Sequence, residues 1–377
     1  MKIVILSRSA QSYSTRRLRE ACANRGHTVR VLDTLRFAIS VRKKKPRLYY
    51  RDKLLSHYDA VIPRIGASIT FYGTAVVRQF EQMGVFTLAS SNAIAVSRDK
   101  LRALQVLSRE RIGIPDTVFV RDRAAVAGAI ERLGGTPIVV KLIEGTQGMG
   151  VILAETGSVA LAVIETLHDA RQNVLVQRFV RESRGKDIRA FVVGGRVVAA
   201  MRRTAQGDEF RSNVHLGGRT ARVDLDPEYE RTAILAARVL GLRVAGVDML
   251  ESNDGPQVIE VNSSPGLEGI EAATGVDVAD AIASYVEDAS VLPEVDVKQR
   301  LGLDHGYAVT EFVVAEPSAL AGATVSGASQ SGLTVLRVQR GDAVLSNPAG
   351  AERIEAGDRV LVYGAEDALK RAVRVGA

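Results

Sequence analysis

Val258-Ile259-Glu260-Val261-Asn262-Ser263-Ser264-Pro265-Gly266 is the stretch on which the reading of this chain turns. In extended backbone alternate side chains share a face, so Glu260 and Asn262 are expected on one side and Ile259 and Val261 in a core. A dozen residues upstream, Gly246-Val247-Asp248-Met249-Leu250 has the character of a neighbouring strand, which adds Asp248 to the polar face. Two carboxylates and an amide side by side suit a hard cation such as Mg²⁺, which also carries nucleotide phosphates. A lone E-x-N pair is equally the outer face of an edge strand, so the decision rests on the rest of the chain.

The 377 residues exceed one ordinary core, and two or more domains are expected. With 46% hydrophobic and 25% charged residues the composition is that of a globular protein and excludes a disordered one. The apolar run from Met1 to Ser7 is too short for a signal peptide, and no later run reaches membrane-spanning length. A cytoplasmic protein without a membrane partner is expected. The single cysteine, Cys22, rules out an intramolecular disulfide and reads as a packed small hydrophobe. The net charge of +7 favours acidic partners: nucleic acid, nucleotides or an acidic polypeptide. The densest basic run, Arg42-Lys43-Lys44-Lys45-Pro46-Arg47, reads as a loop. Lacking zinc-ligand spacing, an RNA-binding signature and interleaved aromatics, the chain is not expected to recognise nucleic acid directly.

Residues 1–95 alternate strand-like and helix-like segments, which implies a small parallel sheet with flanking helices. Ser7-Arg8-Ser9-Ala10 replaces the glycine fingerprint after the first strand, so dinucleotide binding is disfavoured there. A helix is expected from about Ala93 to Arg111, ended by Gly113-Ile114-Pro115. From 96 to 288, strands and helices that do not alternate strictly predict an α+β region with antiparallel sheets. Residues 289–303 read as a linker, and 304–377 as a small separate α+β domain with a hairpin turn at Gly341-Asp342. The fold class is therefore mixed, α/β and then α+β.

Lys141 closes the apolar strand Ile138-Val139-Val140, and Glu144-Gly145-Thr146-Gln147-Gly148-Met149-Gly150 follows. A strand, a glycine-rich turn and another strand make a flap whose backbone N–H groups can cover phosphates while Lys141 supplies a point charge. The same segment is also compatible with an ordinary hairpin. Lys100 is a second candidate phosphate contact. Val174-Leu175-Val176-Gln177-Arg178-Phe179 reads as a buried strand running to an edge whose backbone can imitate a base-pairing partner for adenine. Asp187 and Arg189 put an acid and a base on one face, as part of a cross-strand ion pair or with Asp187 on ribose hydroxyls. Arg202-Arg203 and Phe210-Arg211-Ser212-Asn213 gather cations and amides whose planar donors suit phosphoryl oxygens and carboxylates.

Taken together, these segments resemble the ATP-grasp ligases of the RimK type. The likeness runs from Met1 to about residue 288 and includes Val61-Ile62-Pro63-Arg64-Ile65-Gly66, Arg98-Asp99-Lys100, Val140-Lys141-Leu142, Gly246-Val247-Asp248 and Glu260-Val261-Asn262. The resemblance implies an ATP-grasp fold behind a pre-ATP-grasp domain. It places ATP contacts on Lys100, Lys141, Gly145, Thr146, Gln147, Gly148, Gln177, Arg178, Phe179, Asp187, Arg211, Ser212 and Asn213, metal ligands on Asp248, Glu260 and Asn262, and catalytic charge on Lys141 and Arg203. Arg178 stands where the family's hinge commonly has glutamate. The implied cofactors are ATP and Mg²⁺ or Mn²⁺, two ions in number.

The implied reaction is ATP-dependent addition of L-glutamate to a polypeptide C-terminus, with ribosomal protein S six as acceptor, through an acyl phosphate. A homo-oligomer is expected. Two other readings stay open: a ligase joining an amino acid to a small molecule or carrier protein, and a nucleotide-sensing regulator with vestigial catalysis. Beyond residue 305, Glu311-Phe312-Val313-Val314 and Gly357-Asp358-Arg359-Val360-Leu361-Val362-Tyr363-Gly364 resemble the C-terminal domain of TrkA-type regulators, which implies a ligand-binding or dimerising module.

Overall fold

The computed structural model describes residues 1–43, 45–143, 150–207, 209–212, 218–291, 307–316 and 318–373. These fall into two compact units, Met1–Leu292 and Pro293–Ala377. The first unit begins with a four-stranded parallel sheet in the order Thr28–Leu32, Lys2–Leu6, Ala60–Pro63, Phe86–Thr87. Ile3, Val4, Ile5 and Leu6 are all buried, a continuous apolar run rather than an alternation, because helices cover both faces. The helix Tyr13–Asn24 packs Leu18, Ala21 and Cys22 on one face, and Thr70–Gln82 packs Val76, Val77 and Phe80 on the other.

Two helices differ from expectation. The helix expected from Ala93 to Arg111 is two, Ser91–Arg98 and Lys100–Arg109. Asp99 between them is extended and its carboxylate accepts from the Arg102 N–H at 3.0 Å, capping the second helix at the expense of continuity with the first. The basic run, expected as a loop, connects two strands of an antiparallel meander, Phe37–Ser40, Arg47–Tyr50 and Lys53–Leu54, which Tyr72 anchors to the second helix; Lys44 lies outside the described residues. The helix Val278–Val291 extends into the expected linker, whose remaining residues lie outside the described part.

Two antiparallel sheets form the rest of the first unit. One is ordered Val151–Ala154, Ile138–Leu142, Val174–Arg178, Thr117–Phe119, with Ile138, Val140, Val174 and Val176 buried beneath two helices. The other is ordered Arg219–Arg222, Arg196–Thr204, Lys186–Val193, Val244–Ser252, Gly255–Asn262. Its Ile188, Ala190, Val247, Met249 and Val258 join a core with Ala233, Ala236 and Ala237 of the helix Pro227–Val239.

The second unit has its own core, centred on Leu333, Val338, Ile354, Val360 and Val362. Its sheet runs Tyr307–Val313, Arg359–Ala365, Leu333–Arg340, Ala343–Ser346. Gly341, at φ 58°, opens the two-residue turn between Leu333–Arg340 and Ala343–Ser346, the conformation such a hairpin requires of its first central residue.

Candidate active site

A cleft of about 850 Å³ opens between the two antiparallel sheets and the carboxyl edge of the parallel one. Strand alternation decides what faces it. On the first sheet the odd positions Val139, Lys141, Leu175 and Gln177 line the cleft, while the even ones fill the core. Lys141 is thereby held half-buried among apolar neighbours, and burial pushes its ammonium down to about 8. Glu260 opposes that shift and the nearby Lys100 charge adds to it.

On the second sheet Asp187, Arg189, Arg203, Asp248, Glu260 and Asn262 line the cleft. Asp248 lies directly across from Glu260, and Gly246 from Asn262. The register then slips: Met249 pairs with Val258, which leaves Ile259 as the extra residue of a β-bulge. Consecutive side chains at a bulge no longer alternate cleanly, so Ile259 lines the cleft beside Glu260 instead of entering the core with Val261. Gly246 has a reason of its own: a Cβ there would stand 2.8 Å from the Pro265 Cβ, so glycine lets the Ser263–Gly266 loop close on the strand.

Asp187 and Arg189 both enter cross-strand ion pairs, one of the two readings their shared face allowed. Arg189 Nε and Nη2 each donate to Asp248 at 2.6 Å, and Arg203 Nη2 lies 3.0 Å from Asp248 while its Nε donates to Asp187 at 2.6 Å. Asp187, Arg203 and Asp248 are all buried, so four alternating charges form one enclosed row. Burial alone would raise the Asp248 carboxyl, but Arg189 and then Arg203 hold it below the ordinary range. Ser212 bonds to Asp187 at the end of the row. Arg202, adjacent in sequence to Arg203, points to the other face and pairs with Glu251 at 2.6 Å, so the arginine pair is divided by strand alternation.

The remaining expected residues are placed unevenly. Lys100 Nζ donates to the Leu142 carbonyl at 2.7 Å, next to Lys141. Gln177 Nε2 donates to Thr117 Oγ1 at 2.8 Å. The Arg178 N–H is taken by the Asp116 carbonyl at 2.8 Å, and its guanidinium lies 3.6 Å from Asp116 and 3.5 Å from Asp254, bridging the edge of one sheet to the hairpin turn of the other. Phe179 packs edge-on against Phe210, ring centres 6.5 Å apart. Arg211 is held by Glu209, whose carboxyl it pulls down to about 2. Gly145, Thr146, Gln147, Gly148 and Asn213 lie outside the described residues. Arg189 and Arg98 received no role from sequence reasoning; the two-residue spacing from Asp187 was the signal for the first.

The donor chemistry at the strand pair fits a divalent cation. Among the described residues no cluster of three or more His, Cys, Asp and Glu exists, and the set here is two carboxylates and an amide. Glu260 is exposed to the cleft, with its charge acting on Arg98, Lys100 and Lys141. Asn262 Nδ2 is buried without a hydrogen-bond partner, and half a turn of the amide presents oxygen at the same place. Asp248 in this geometry gives its oxygens to guanidinium groups.

Comparison with known proteins places the chain. Residues 1–94 match the RimK PreATP-grasp domain, 97–286 the RimK-like ATP-grasp domain and 309–375 the TrkA-C domain. A probable alpha-L-glutamate ligase of Rhodopirellula baltica is 59% identical over 375 residues, 99% of this chain and 93% of that protein. The chain belongs to the RimK family of ATP-grasp ligases. Another RimK-like relative, probable alpha-L-glutamate ligase 1 of Hahella chejuensis, is 57% identical over 290 residues, 77% of this chain but 96% of its own length. Among solved structures, the ATP-grasp ligase PsnB in complex with a phosphomimetic variant of its minimal precursor, Mg and ADP aligns with TM-score 0.60 at 21% identity, over 76% of this chain and 97% of that one. The RimK domain protein of Sphaerobacter thermophilus aligns with TM-score 0.57 at 23% identity, over 76% of this chain and all of the other. These structural likenesses bear on the fold, which is ATP-grasp. Among the described residues no helix is long and apolar enough to cross a membrane.

Proposed function

We propose that this RimK-family ligase adds L-glutamate to the C-terminal carboxylate of a polypeptide, with ribosomal protein S six as acceptor, through an acyl phosphate. One observation carries the reading: Lys141 of one sheet and the Asp248, Glu260 and Asn262 face of the other line a single cleft with Arg203 between fixed acids. The names of the relatives from Rhodopirellula baltica and Hahella chejuensis support glutamate as the amino acid.

Lys141 would place its charge on the transferred phosphoryl group. Arg203, locked by Asp187 and Asp248, offers a fixed positive charge that needs no reorganisation when a carbonyl oxygen gains charge. Lys100 would reach the phosphates from beside Lys141, and the hinge at Gln177, Arg178 and Phe179, with Asp187, Arg211, Ser212 and Asn213, would seat the nucleoside. Glu260 and Asn262, with Asp248, would hold Mg²⁺ or Mn²⁺, two ions in number; the metal's contribution is to neutralise phosphate charge. The flap expected over residues 146–150 would exclude water from the acyl phosphate. Most of the catalysis is then positioning and electrostatics.

In this reading residues 1–95 and 96–288 make up the ligase, and 289–303 join it to a regulatory module, 304–377. The test is incubation with ATP, Mg²⁺, L-glutamate and the ribosomal protein, read by intact mass. Stepwise glutamyl increments with stoichiometric ADP are expected. ADP release with no increment on any polypeptide overturns the polypeptide acceptor, and nucleotide binding without ADP formation overturns the ligase. Glu260→Gln is expected to abolish turnover with the fold kept, because it removes one charge and little shape.

A further inference from the structure

Residues 36–53 hold eight of the chain's 50 Lys and Arg and one of its 43 Asp and Glu, so this segment alone accounts for the net charge of +7 and all other residues together are neutral. It comprises Arg36 and the antiparallel meander that follows, as far as Lys53 in its last strand. Arg36, Arg42, Lys43, Lys45, Arg51 and Lys53 are exposed, and among the described residues only Arg36 of these six has an ion pair, with Asp33. Like charges this dense repel one another, and ordinary surfaces intersperse both signs.

The strands beneath the charges are a packed platform. Phe37 and Leu48 are buried, and Phe37 meets the rings of Tyr50 and Phe80 edge-on at 5.1 and 6.0 Å. Gln79 Nε2 of the helix Thr70–Gln82 donates to the Ser40 carbonyl at 3.2 Å and to the Arg47 carbonyl at 3.3 Å. The platform starts near the cleft and runs away from it. It follows the carboxyl end of Thr28–Leu32, the sheet edge at which Gly66, Ala67 and Ser68 line the cleft. The helix Thr70–Gln82 begins two residues after Ser68 and measures the distance: Tyr72 in its first turn bonds to the Phe37 carbonyl, and Gln79, two turns on, holds Ser40 and Arg47. From Thr70 to Gln79 the helix rises about 14 Å, the reach of roughly four to five extended residues.

We propose that the basic meander is an exosite for an acidic polypeptide, the glutamate-terminated tail that each turnover lengthens. The proposal rests on the ligase reading above. Charge complementarity selects the occupant: every glutamate added puts another carboxylate on the tail, and a tail reaching about five residues beyond the cleft comes level with Arg42, Lys43, Lys45 and Arg47. Single-stranded nucleic acid has the same sign but is gripped by rings that stack on its bases. Here Phe37 is buried, Tyr49 and Tyr50 are half-buried, and Arg51 lies over the Tyr50 ring, so no ring stands free for that role. The exosite therefore favours acceptors that already carry a long acidic tail over those ending in one glutamate.

The test compares full-length wild type with the triple variant Arg42→Gln, Lys43→Gln, Lys45→Gln, whose side chains are exposed and outside the cleft. Fluorescence anisotropy of a labelled deca-glutamate peptide should show binding to wild type that weakens as salt is added and is roughly tenfold weaker in the variant, at unchanged ATP affinity and unfolding midpoint. The variant's kcat/KM should fall roughly tenfold for a peptide acceptor ending in ten glutamates and stay unchanged for the same acceptor ending in one. Equal deca-glutamate binding by the two proteins, an equal loss of kcat/KM with both acceptors, or tighter wild-type binding of a ten-nucleotide RNA than of deca-glutamate each overturns the exosite, and with ligation intact each leaves the ligase reading standing. Deca-glutamate binding that depends on the three cations in a protein that ligates nothing would instead overturn the ligase reading and leave a site for acidic polypeptide in place.

Discussion

The cleft contains two kinds of buried cation. Arg203 is held between Asp187 and Asp248 and Arg189 against Asp248, all at hydrogen-bonding distance, whereas Lys141 lines the same cleft in no ion pair among the described residues. A buried charge paired on both sides is part of the scaffold, because removing one member strands the others. A buried charge left unpaired is a cost to the fold that only a ligand relieves, which marks it as belonging to the chemistry. The comparison separates residues that build the site from residues that use it.

Breaking the paired row should have the largest effect. Arg203→Met leaves Asp187 and Asp248 buried with Arg189 as the only remaining arginine, and is expected to destabilise the first unit by about 3–5 kcal/mol in denaturant unfolding. A loss below about 1 kcal/mol would show that the row is not a scaffold. Lys141→Met is the opposite case. It should lower kcat/KM for ATP by about 10²–10³-fold, the effect of deleting one preorganised charge, without lowering the unfolding midpoint, because an uncompensated buried charge is removed with it. Gly246→Ala tests the geometry without touching charge. The added Cβ meets Pro265 at 2.8 Å, so overpacking of about 1–3 kcal/mol and a displaced 263–266 loop are expected, readable as a lowered midpoint and weakened ATP binding.

The same contrast explains what was legible in the sequence. Period-two alternation identified the face that Asp248 and Glu260 share, since that pattern is local. It failed at Ile259, where a bulge set by the partner strand adds a residue, and at Asp99, where a side-chain cap outcompetes helix continuity. Partner choice was the least visible feature. Asp187 and Arg189, two apart on one face, read as members of cross-strand ion pairs and are so, but nothing local in the sequence names their partners, Arg203 and Asp248.

The sharpest form of the comparison is a pH titration, since paired and unpaired cations respond differently. Burial brings the Lys141 ammonium to about 8 in the folded enzyme, against an ordinary value near 10.5 in the unfolded chain. Below about 8 both states hold the proton and the charge is available to phosphates. Between about 8 and 10.5 the unfolded chain binds the proton that the folded one has released, so stability rises with pH across that window while kcat/KM for ATP falls. Activity and stability therefore move in opposite directions above pH 8. Lys141→Met should flatten the stability rise attributable to this group, and Lys141→Arg should keep the charge and shift the activity decline to higher pH. Arg203, whose guanidinium is pushed further up by Asp248 and Asp187 despite its burial, adds nothing to either slope. A wild-type profile in which both quantities fall together above pH 8 would place Lys141 among the paired cations and remove the distinction at its central residue.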